Sequence, residues 1–315
     1  MGKNINRRNF IRKSIGTSLG ISAGLSFDTI PLLSEEARKP SIKLPEDTVK
    51  GLQMGKIGKY NISRITCGGN LISGFAHSRD LIYVSDLLKH YFTDDKVIET
   101  LKICEENGIN TAILRCDPNT VRILNRYWKE EGGKMQWLAQ TYPKPADIDT
   151  NTPEDLSNIQ MAIDNGAIGA YGQGAFAGDT LYKNGKIDFL AKVVEFIKQN
   201  GLIAGVGSHL LEVTMASEEK GFDPDFYVKT LNRDVYHCAE PEKLFSYMKK
   251  VKKPWIAFKI LGAGVTEPRR GFKDAFENGA DFINVGMYDF QIKEDVLLTK
   301  KLLSGTLKRE RAWCA

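Results

Sequence analysis

A short β-rich run, a loop and an amphipathic helical stretch recur along the chain after residue 55. Several of the predicted helices end in Asn-Gly, which supplies the left-handed residue expected where a helix turns back toward a strand. These dipeptides are Asn107-Gly108, Asn165-Gly166, Asn200-Gly201 and Asn278-Gly279. The recurring unit predicts an α/β protein built on a parallel sheet.

The β-rich runs predict eight strands, at Ile62–Cys67, Thr111–Cys116, Gln136–Thr141, Ala167–Gly172, Leu202–Gly207, Asp225–Leu231, Trp255–Leu261 and Phe282–Met287. Helical patterns between them include Asp94–Asn107, Pro153–Asn165, Lys186–Asn200, Val213–Lys220, Pro241–Lys250 and Arg270–Asn278. This alternation favours a closed (β/α)8 TIM barrel, and a body of about 275 residues is close to the usual size of one. The alternative is an open doubly wound sheet. The open sheet is the weaker alternative, because the Gly-x-Gly-x-x-Gly motif typical of such folds does not follow the first predicted strand.

The N-terminus carries Arg7-Arg8, then Phe10 and a weakly apolar stretch from Ile15 to Phe27. This pattern resembles a twin-arginine (Tat) export signal, and its apolar part is shorter than the roughly 20 residues of a membrane-spanning helix. We expect residues 1–39 to be a Tat signal peptide with its cleavage region and residues 40–315 to be a single TIM-barrel domain. The mature protein would be periplasmic after passing the Tat translocase. A basic N-terminal helix that stays attached is the alternative.

The charge balance bears on possible partners. The chain has 44 Lys and Arg against 39 Asp and Glu, a net charge of +5. Residues 1–39 hold seven basic and three acidic residues, so the remainder is close to neutral. A nucleic-acid partner therefore has no electrostatic basis, and no later stretch predicts a stable membrane span. The five cysteines form no CxxC pair, which argues against a disulfide-rich scaffold.

Three stretches resemble aldo-keto reductases. Gly55–Gly69 resembles the hairpin that closes the barrel floor and leads into strand 1, and Glu105–Thr111 resembles helix 1 leading into strand 2. Lys259–Val296 is similar in layout to strands 7 and 8. The resemblance implies a TIM barrel with an N-terminal hairpin plug.

The catalytic residues of that family, an Asp, a Tyr, a Lys and a His, are not retained as a set. The region after strand 2 contains no Tyr before Tyr127, and its Asp117 is displaced from the expected place. Strand 4 ends in Tyr171-Gly172 without a His, although Lys144 after strand 3 could be retained. The resemblance therefore supports the barrel more than the reductase chemistry.

Active sites of TIM barrels lie at the C-terminal ends of the strands. Three of the four histidines, His77, His209 and His237, fall in that region of the predicted barrel. They could act as acid and base, because imidazole titrates near neutral pH. Alternatively, a divalent metal could be bound by His209, His237 and a carboxylate, either Glu212 or Glu240. His209 and Glu212 are three residues apart on a predicted helix, which would place them on one face. Histidines bound to loop backbone are the structural alternative.

Lysines give a second indication of chemistry. Lys229 and Lys259 each lie near the C-terminal end of an otherwise apolar predicted strand, in what would be equivalent positions. A desolvated Lys can form a Schiff base or polarise a carbonyl group. A structural ion pair or a side chain that reaches solvent at the strand end is the alternative.

The region after strand 7 could bind a phosphate, through Gly262, Gly264, Arg269 and Arg270. Since aldo-keto reductases bind the phosphate of NADP in this neighbourhood, the resemblance implies NADP as one candidate cofactor. Aromatic residues near the expected mouth could form a platform for a sugar ring: Phe75, Tyr83, Tyr91, Tyr142, Tyr171, Tyr236 and Tyr288. The segment Asn70–Thr93 is longer than an ordinary βα loop and is predicted to cover the site.

These features predict an exported TIM-barrel enzyme acting on a sugar or sugar-derived carbonyl compound, in carbohydrate (polysaccharide) utilisation. His and Lys acid–base chemistry would carry the reaction, with a divalent metal as an option. The substrate class rests on analogy with other Tat-exported barrels. Two alternatives remain: an aldo-keto reductase-like, NADP(H)-dependent oxidoreductase and a non-catalytic binding protein on a degenerate barrel.

Overall fold

The computed structural model of the chain describes residues 51–77, 81–147, 151–235, 240–305 and 307–315. The predicted export signal lies outside these residues. Eight parallel strands close into a barrel in the order β10-β3-β4-β5-β6-β7-β8-β9. The strands are β3 (Ile65–Gly68), β4 (Thr111–Arg115), β5 (Gln136–Thr141), β6 (Gly169–Gly172), β7 (Ile203–Ser208), β8 (Phe226–Thr230), β9 (Trp255–Phe258) and β10 (Phe282–Val285). The predicted (β/α)8 barrel is confirmed.

Helices alternate with the strands: α1 (Gly69–Ile72), α2 (Val84–Tyr91), α3 (Asp94–Glu106), α4 (Pro118–Lys129), α5 (Ser157–Asp164), α6 (Thr180–Lys183), α7 (Phe189–Gln199), α8 (Leu211–Glu219), α9 (Pro241–Met248), α10 (Pro268–Glu277) and α11 (Ile292–Ser304). The glycines of the four Asn-Gly dipeptides all have positive φ, between +78° and +103°, as predicted for helix ends. None of the helices in the described ranges is long and apolar enough to span a lipid bilayer.

An antiparallel hairpin precedes the barrel and consists of β1 (Met54–Ile57) and β2 (Tyr60–Ser63). Ile57 and Ile62 are fully buried in the same apolar cluster as Leu138 and Phe282 of the barrel strands. The hairpin therefore closes the barrel floor. The predicted first strand, Ile62–Cys67, was wrong as one element, because its first residues pair within the hairpin and β3 begins only at Ile65.

Strand residues alternate between the barrel interior and the surrounding helices. On β4, Ile113 belongs to the interior cluster, whereas Ala112 and Leu114 belong to the larger cluster outside the barrel wall. On β8, Val228 is interior and Tyr227 is outside. Because side chains alternate along a strand, this pattern fixes which residues at the strand ends face the mouth.

Buried arginines surround Asp281 at the opposite, N-terminal end of the strands. Its side chain accepts hydrogen bonds from Arg311 at 2.6 Å and Arg309 at 3.2 Å, and also from the backbone amides of Trp255 and Cys314. Arg311 also donates to carbonyl oxygens of four further residues. This cluster, which we call the Asp281 cluster, attaches the C-terminal segment to the barrel floor.

Asp295 on α11 is buried, and it makes the free energy of unfolding depend on pH. Burial, assisted by the neighbouring Glu294, raises the pKa of Asp295 to about 7. Because the pKa of Asp295 is higher in the folded than in the unfolded chain, the contribution of this carboxyl group to stability is complete below about pH 4, near its pKa in the unfolded chain. The contribution is lost as the pH rises toward 7. Asp295→Asn is therefore expected to raise the free energy of unfolding at pH 8 by roughly 1–3 kcal/mol, and by much less at pH 4.5.

Urea denaturation at the two pH values measures this difference. Glu106→Gln, at an exposed position on helix α3, is the control and should change stability by under about 0.5 kcal/mol. An equal effect of Asp295→Asn at both pH values would contradict the prediction.

Candidate active site at the barrel mouth

The structure pairs His209 with Asp179 at the C-terminal ends of the strands. His209 follows β7, and its Nδ1 lies 2.8 Å from Asp179 Oδ2. The other carboxylate oxygen of Asp179 accepts hydrogen bonds from the backbone amides of His209 and Leu210, at 2.9 and 3.0 Å. Asp179 is buried, whereas the His209 side chain remains 22% exposed. This is an imidazole held in position by Asp179 and still partly exposed.

Glycines make this arrangement possible. Asp179 ends a π-helical turn, Gly174–Asp179, which packs directly on the end of β7. A side chain at Gly178 would collide with the carbonyl oxygen of Gly207, and one at Gly174 would lie 3.1 Å from the His209 ring. The run of small residues therefore lets the turn approach closely enough to place Asp179 against His209.

Hydrogen bonding determines the protonation state of Asp179 and the tautomer of His209. Burial alone would raise the pKa of Asp179, but the hydrogen bonds from His209 and Leu210 outweigh it and hold that pKa below its usual value. An ionised Asp179 accepts the proton on Nδ1 of His209, which leaves the lone pair on Nε2. No group in the described ranges bonds to Nε2, so this atom is available to a substrate.

Lys259 lies beside this pair. It follows β9 directly and has a φ of +61°, a backbone conformation that residues other than glycine rarely adopt. Its side chain is half-buried, and burial lowers the pKa of the ammonium group although Asp179 acts in the opposite direction. A strained backbone at a strand end that presents a desolvated cation is a typical feature of functional sites.

Lys229 does not face the barrel interior. It alternates with the interior residue Val228, is fully buried, and donates a hydrogen bond from Nζ to the carbonyl oxygen of His209 at 2.6 Å. The register pairs it with Ala257 of β9, so the predicted equivalence of Lys229 and Lys259 was wrong. Lys229 therefore supports the backbone of His209 from behind the barrel wall.

Lys259→Asn should separate chemistry from folding. Asn tolerates positive φ, so we expect the melting temperature to stay within about 3 °C of wild type. If Lys259 stabilises a developing oxyanion, its loss should lower kcat by about 100- to 1000-fold. Lys252→Asn, at an exposed position before the opposite end of β9, is the control and should change neither quantity. A Lys259→Asn variant that unfolds earlier but keeps its kcat would assign this residue a structural role.

Among the described residues, the other predicted histidine and acids are not paired with His209 or Asp179. His237 lies outside the described residues, and His77 is exposed in the segment after α1. Helix α8 begins at Leu211, so His209 precedes the helix and shares no helical face with Glu212. Glu240 is exposed at the start of α9. Within the part of the chain that the structure describes, no three His, Cys, Asp or Glu side chains form a group that could bind a metal ion.

The predicted phosphate region has a carboxylate at its centre. Gly262 and Gly264 have positive φ, and the helix that follows them begins with Glu267 as its N-cap. The Glu267 carboxylate accepts hydrogen bonds from the amides of Arg269 and Arg270, each at 3.2 Å. Arg270 also pairs with Asp234. As arranged, this region does not fit the phosphate of a nicotinamide cofactor, because a phosphate would have to displace Glu267.

Aromatic side chains follow several strand ends around the rim. Phe75, Phe176 and Phe290 are 51%, 70% and 72% exposed. Phe290 stacks on Tyr288 at a centroid distance of 5.3 Å, and the ring of Phe176 lies edge-on to Tyr142 at 5.7 Å. Tyr171, also predicted to lie near the mouth, is instead buried inside the barrel. Tyr236 lies outside the described residues.

The segment predicted to cover the site, Asn70–Thr93, contains α1 and α2 and contacts the rim at both ends. Phe75 packs on Arg115 near its start. Near its end, the hydroxyl of Tyr91 donates to Asp289 at 2.5 Å, and Phe92 stacks on Tyr288. These contacts place both ends of the segment beside the mouth.

Comparison with solved structures identifies the architecture. Two structures of a proposed aldo-keto reductase from Pseudomonas aeruginosa align with TM-scores of 0.55 and 0.57 and 12% sequence identity. The alignments cover 81% and 82% of this chain and 98% and 99% of those chains. The chain shares their barrel fold. No protein-family model matches the sequence, and no curated protein matches it significantly in sequence. The expected resemblance to aldo-keto reductases is thus supported at the level of the fold.

Sequence reasoning missed Asp179, the partner of His209. It lies in Gly174–Asp179, where the glycines and alanines have neither strand nor helix periodicity. The only sequence signal for Asp179 as a site residue was its position shortly after a glycine-rich strand end.

Proposed function

We propose that this chain is an exported enzyme that moves a proton on a sugar-derived carbonyl compound, with His209 as the acid–base residue. The observation that carries the proposal is the pairing of His209 with a buried Asp179 at the barrel mouth, 2.8 Å apart, with the His209 side chain still 22% exposed. In this arrangement Asp179 holds the tautomer whose Nε2 can accept a proton and stabilises the imidazolium that results.

The reaction consists of two proton transfers. His209 Nε2 removes the proton from the carbon next to the substrate carbonyl, and the electron pair moves onto the carbonyl oxygen. The ammonium group of Lys259 stabilises the negative charge that develops on this oxygen. The imidazolium then returns a proton to the same carbon while the electron pair moves back from the oxygen, which regenerates the carbonyl group and the neutral ring.

A sugar-derived substrate is supported by the rim. Exposed rings on a barrel mouth offer apolar faces on which the C–H faces of a sugar can pack, whereas solvated loops rarely expose several such rings together. Export rests on the sequence of residues 1–39 and belongs to the same proposal.

Hydrogen–deuterium exchange tests the chemistry without knowledge of the final product. The protein is incubated in D2O with ketopentoses, ketohexoses and hexuronates, and loss of the proton next to the carbonyl is followed by 1H NMR. We expect catalysed exchange on at least one compound, and its loss in His209→Ala. Exchange that is absent, or unchanged in His209→Ala, would contradict the proposal. Saturable binding of NADPH measured by fluorescence would favour the reductase alternative instead.

A further inference from the structure

One cation at the mouth remains outside the mechanism above. Arg115 is the last residue of β4 and follows the interior residue Ile113 by two positions. Alternation along the strand therefore directs Arg115 toward the mouth. Its side chain is 32% exposed, so it is accessible to a ligand.

Two aromatic rings fix the guanidinium group. The Arg115 guanidinium carbon lies 4.7 Å from the ring centroid of Phe75 and 4.6 Å from that of Tyr142. Its Nε atom lies 3.3 Å from Asp117, whose carboxylate also caps helix α4. A planar guanidinium held between two rings loses little conformational freedom when it binds an anion.

The far edge of this guanidinium has no acceptor. Within the described ranges, neither Nη atom of Arg115 makes a hydrogen bond, and the hydroxyl of Tyr142 makes none either. The arginines of the Asp281 cluster differ, because both Arg309 and Arg311 donate to carboxylate and carbonyl oxygens. Arg115 therefore presents a fork of donors to whatever enters the mouth.

Contacts connect Arg115 to His209 along the rim. Arg115 stacks on Tyr142, and Tyr142 contacts Phe176. Phe176 belongs to the same π-helical turn that places Gly174 and Asp179 against His209. Both groups therefore border one mouth.

We propose that Arg115 binds a carboxylate of the substrate, so that the natural ligand is an acidic sugar such as a uronic acid. Arg forms paired hydrogen bonds with both carboxylates and phosphates. Asp117 beside the guanidinium favours a monoanion, because a phosphate dianion would be repelled more strongly by that carboxylate. The inference takes from the proposed function only that the substrate is a sugar. Binding of its carboxylate by Arg115 does not require turnover.

Calorimetric titration with three matched compounds tests this inference: galacturonate, galactose and galactose 6-phosphate. We expect wild type to bind galacturonate at least tenfold more tightly than galactose. In Arg115→Met this preference should fall by about 10- to 100-fold, the range for loss of a hydrogen bond between charged groups. Arg115→Lys, which keeps the charge but lacks the fork, should recover only part of it.

The matched control is Arg122→Met, which changes an exposed arginine of helix α4 paired with Asp94 of helix α3, and it should leave binding unchanged. Thermal melts of all variants show whether they are folded. Equal binding of galacturonate and galactose by wild type, an unchanged preference in folded Arg115→Met, or tighter binding of the phosphate would each overturn the proposal.

The test is separable from that of the acid–base chemistry. If His209→Ala still prefers galacturonate but wild type catalyses no exchange, the carboxylate site stands and the proposed function fails. If wild type catalyses exchange but binds galacturonate no more tightly than galactose, the function stands and the carboxylate site is overturned.

Discussion

His209→Ala is expected to lower kcat by about 100- to 10,000-fold with little change in melting temperature, because it removes the group that transfers the proton. Asp179→Asn should cost a comparable factor, since an amide at this position favours the wrong tautomer of His209. The rate of solvent exchange at the substrate carbon, measured at saturating substrate, gives kcat for each variant. His90→Ala, on the exposed side of α2, is the control and should retain full activity.

NMR distinguishes a positioning role of Asp179 from a merely structural one. With only four histidines in the chain, 15N-labelled protein should show a proton on Nδ1 of neutral His209 in wild type. In Asp179→Asn we expect a mixture of tautomers. A variant that keeps both the wild-type tautomer and the wild-type kcat would remove Asp179 from the mechanism.

Asp281→Ala is expected to lower the free energy of unfolding by about 3–5 kcal/mol, because it leaves buried arginines without their carboxylate. Both Arg309 and Arg311 contact Asp281, and burial already lowers the pKa of Arg309 against the attraction of that carboxylate. The loss of acceptors for the amides of Trp255 and Cys314 adds to the cost. Urea denaturation at pH 7 measures the change.

Asp223→Asn is the matched control for this prediction. Asp223 also contacts two cations, Lys198 and Lys253, but its side chain is 68% exposed. Loss of an exposed ion pair should cost under about 1 kcal/mol, and Asn tolerates the positive φ of this position. Similar losses of stability in the two variants would contradict the prediction, because they would show that burial does not make the ion pairs of the Asp281 cluster more important than exposed ones.

The fold was predictable from local signals that repeat along the chain. The Asn-Gly dipeptides mark helix ends, and the strand predicted at Gln136–Thr141 has the bounds seen in the structure. Strand ends were harder, because propensity does not show where pairing stops. The predicted strand Trp255–Leu261 ends at Phe258, since Lys259 leaves the extended conformation.

The site was predictable only in part, because its geometry depends on which face of a strand a residue occupies. His209 was selected from its position after a strand, and the structure places it at the mouth. Lys229 was selected by the same rule, yet it points to the outer side of the wall, where it binds the His209 carbonyl. Interior and exterior follow from packing against other strands, which a single strand sequence does not reveal.

The separation between the Asp281 cluster and the mouth makes the barrel a suitable scaffold for laboratory evolution. The buried arginines bind the strand starts, whereas Phe75, Tyr142 and Phe176 belong to loops after the strand ends. Libraries that randomise these three rim positions should therefore yield mostly folded proteins with altered ligand preference, while Asp281 and Arg311 are kept fixed.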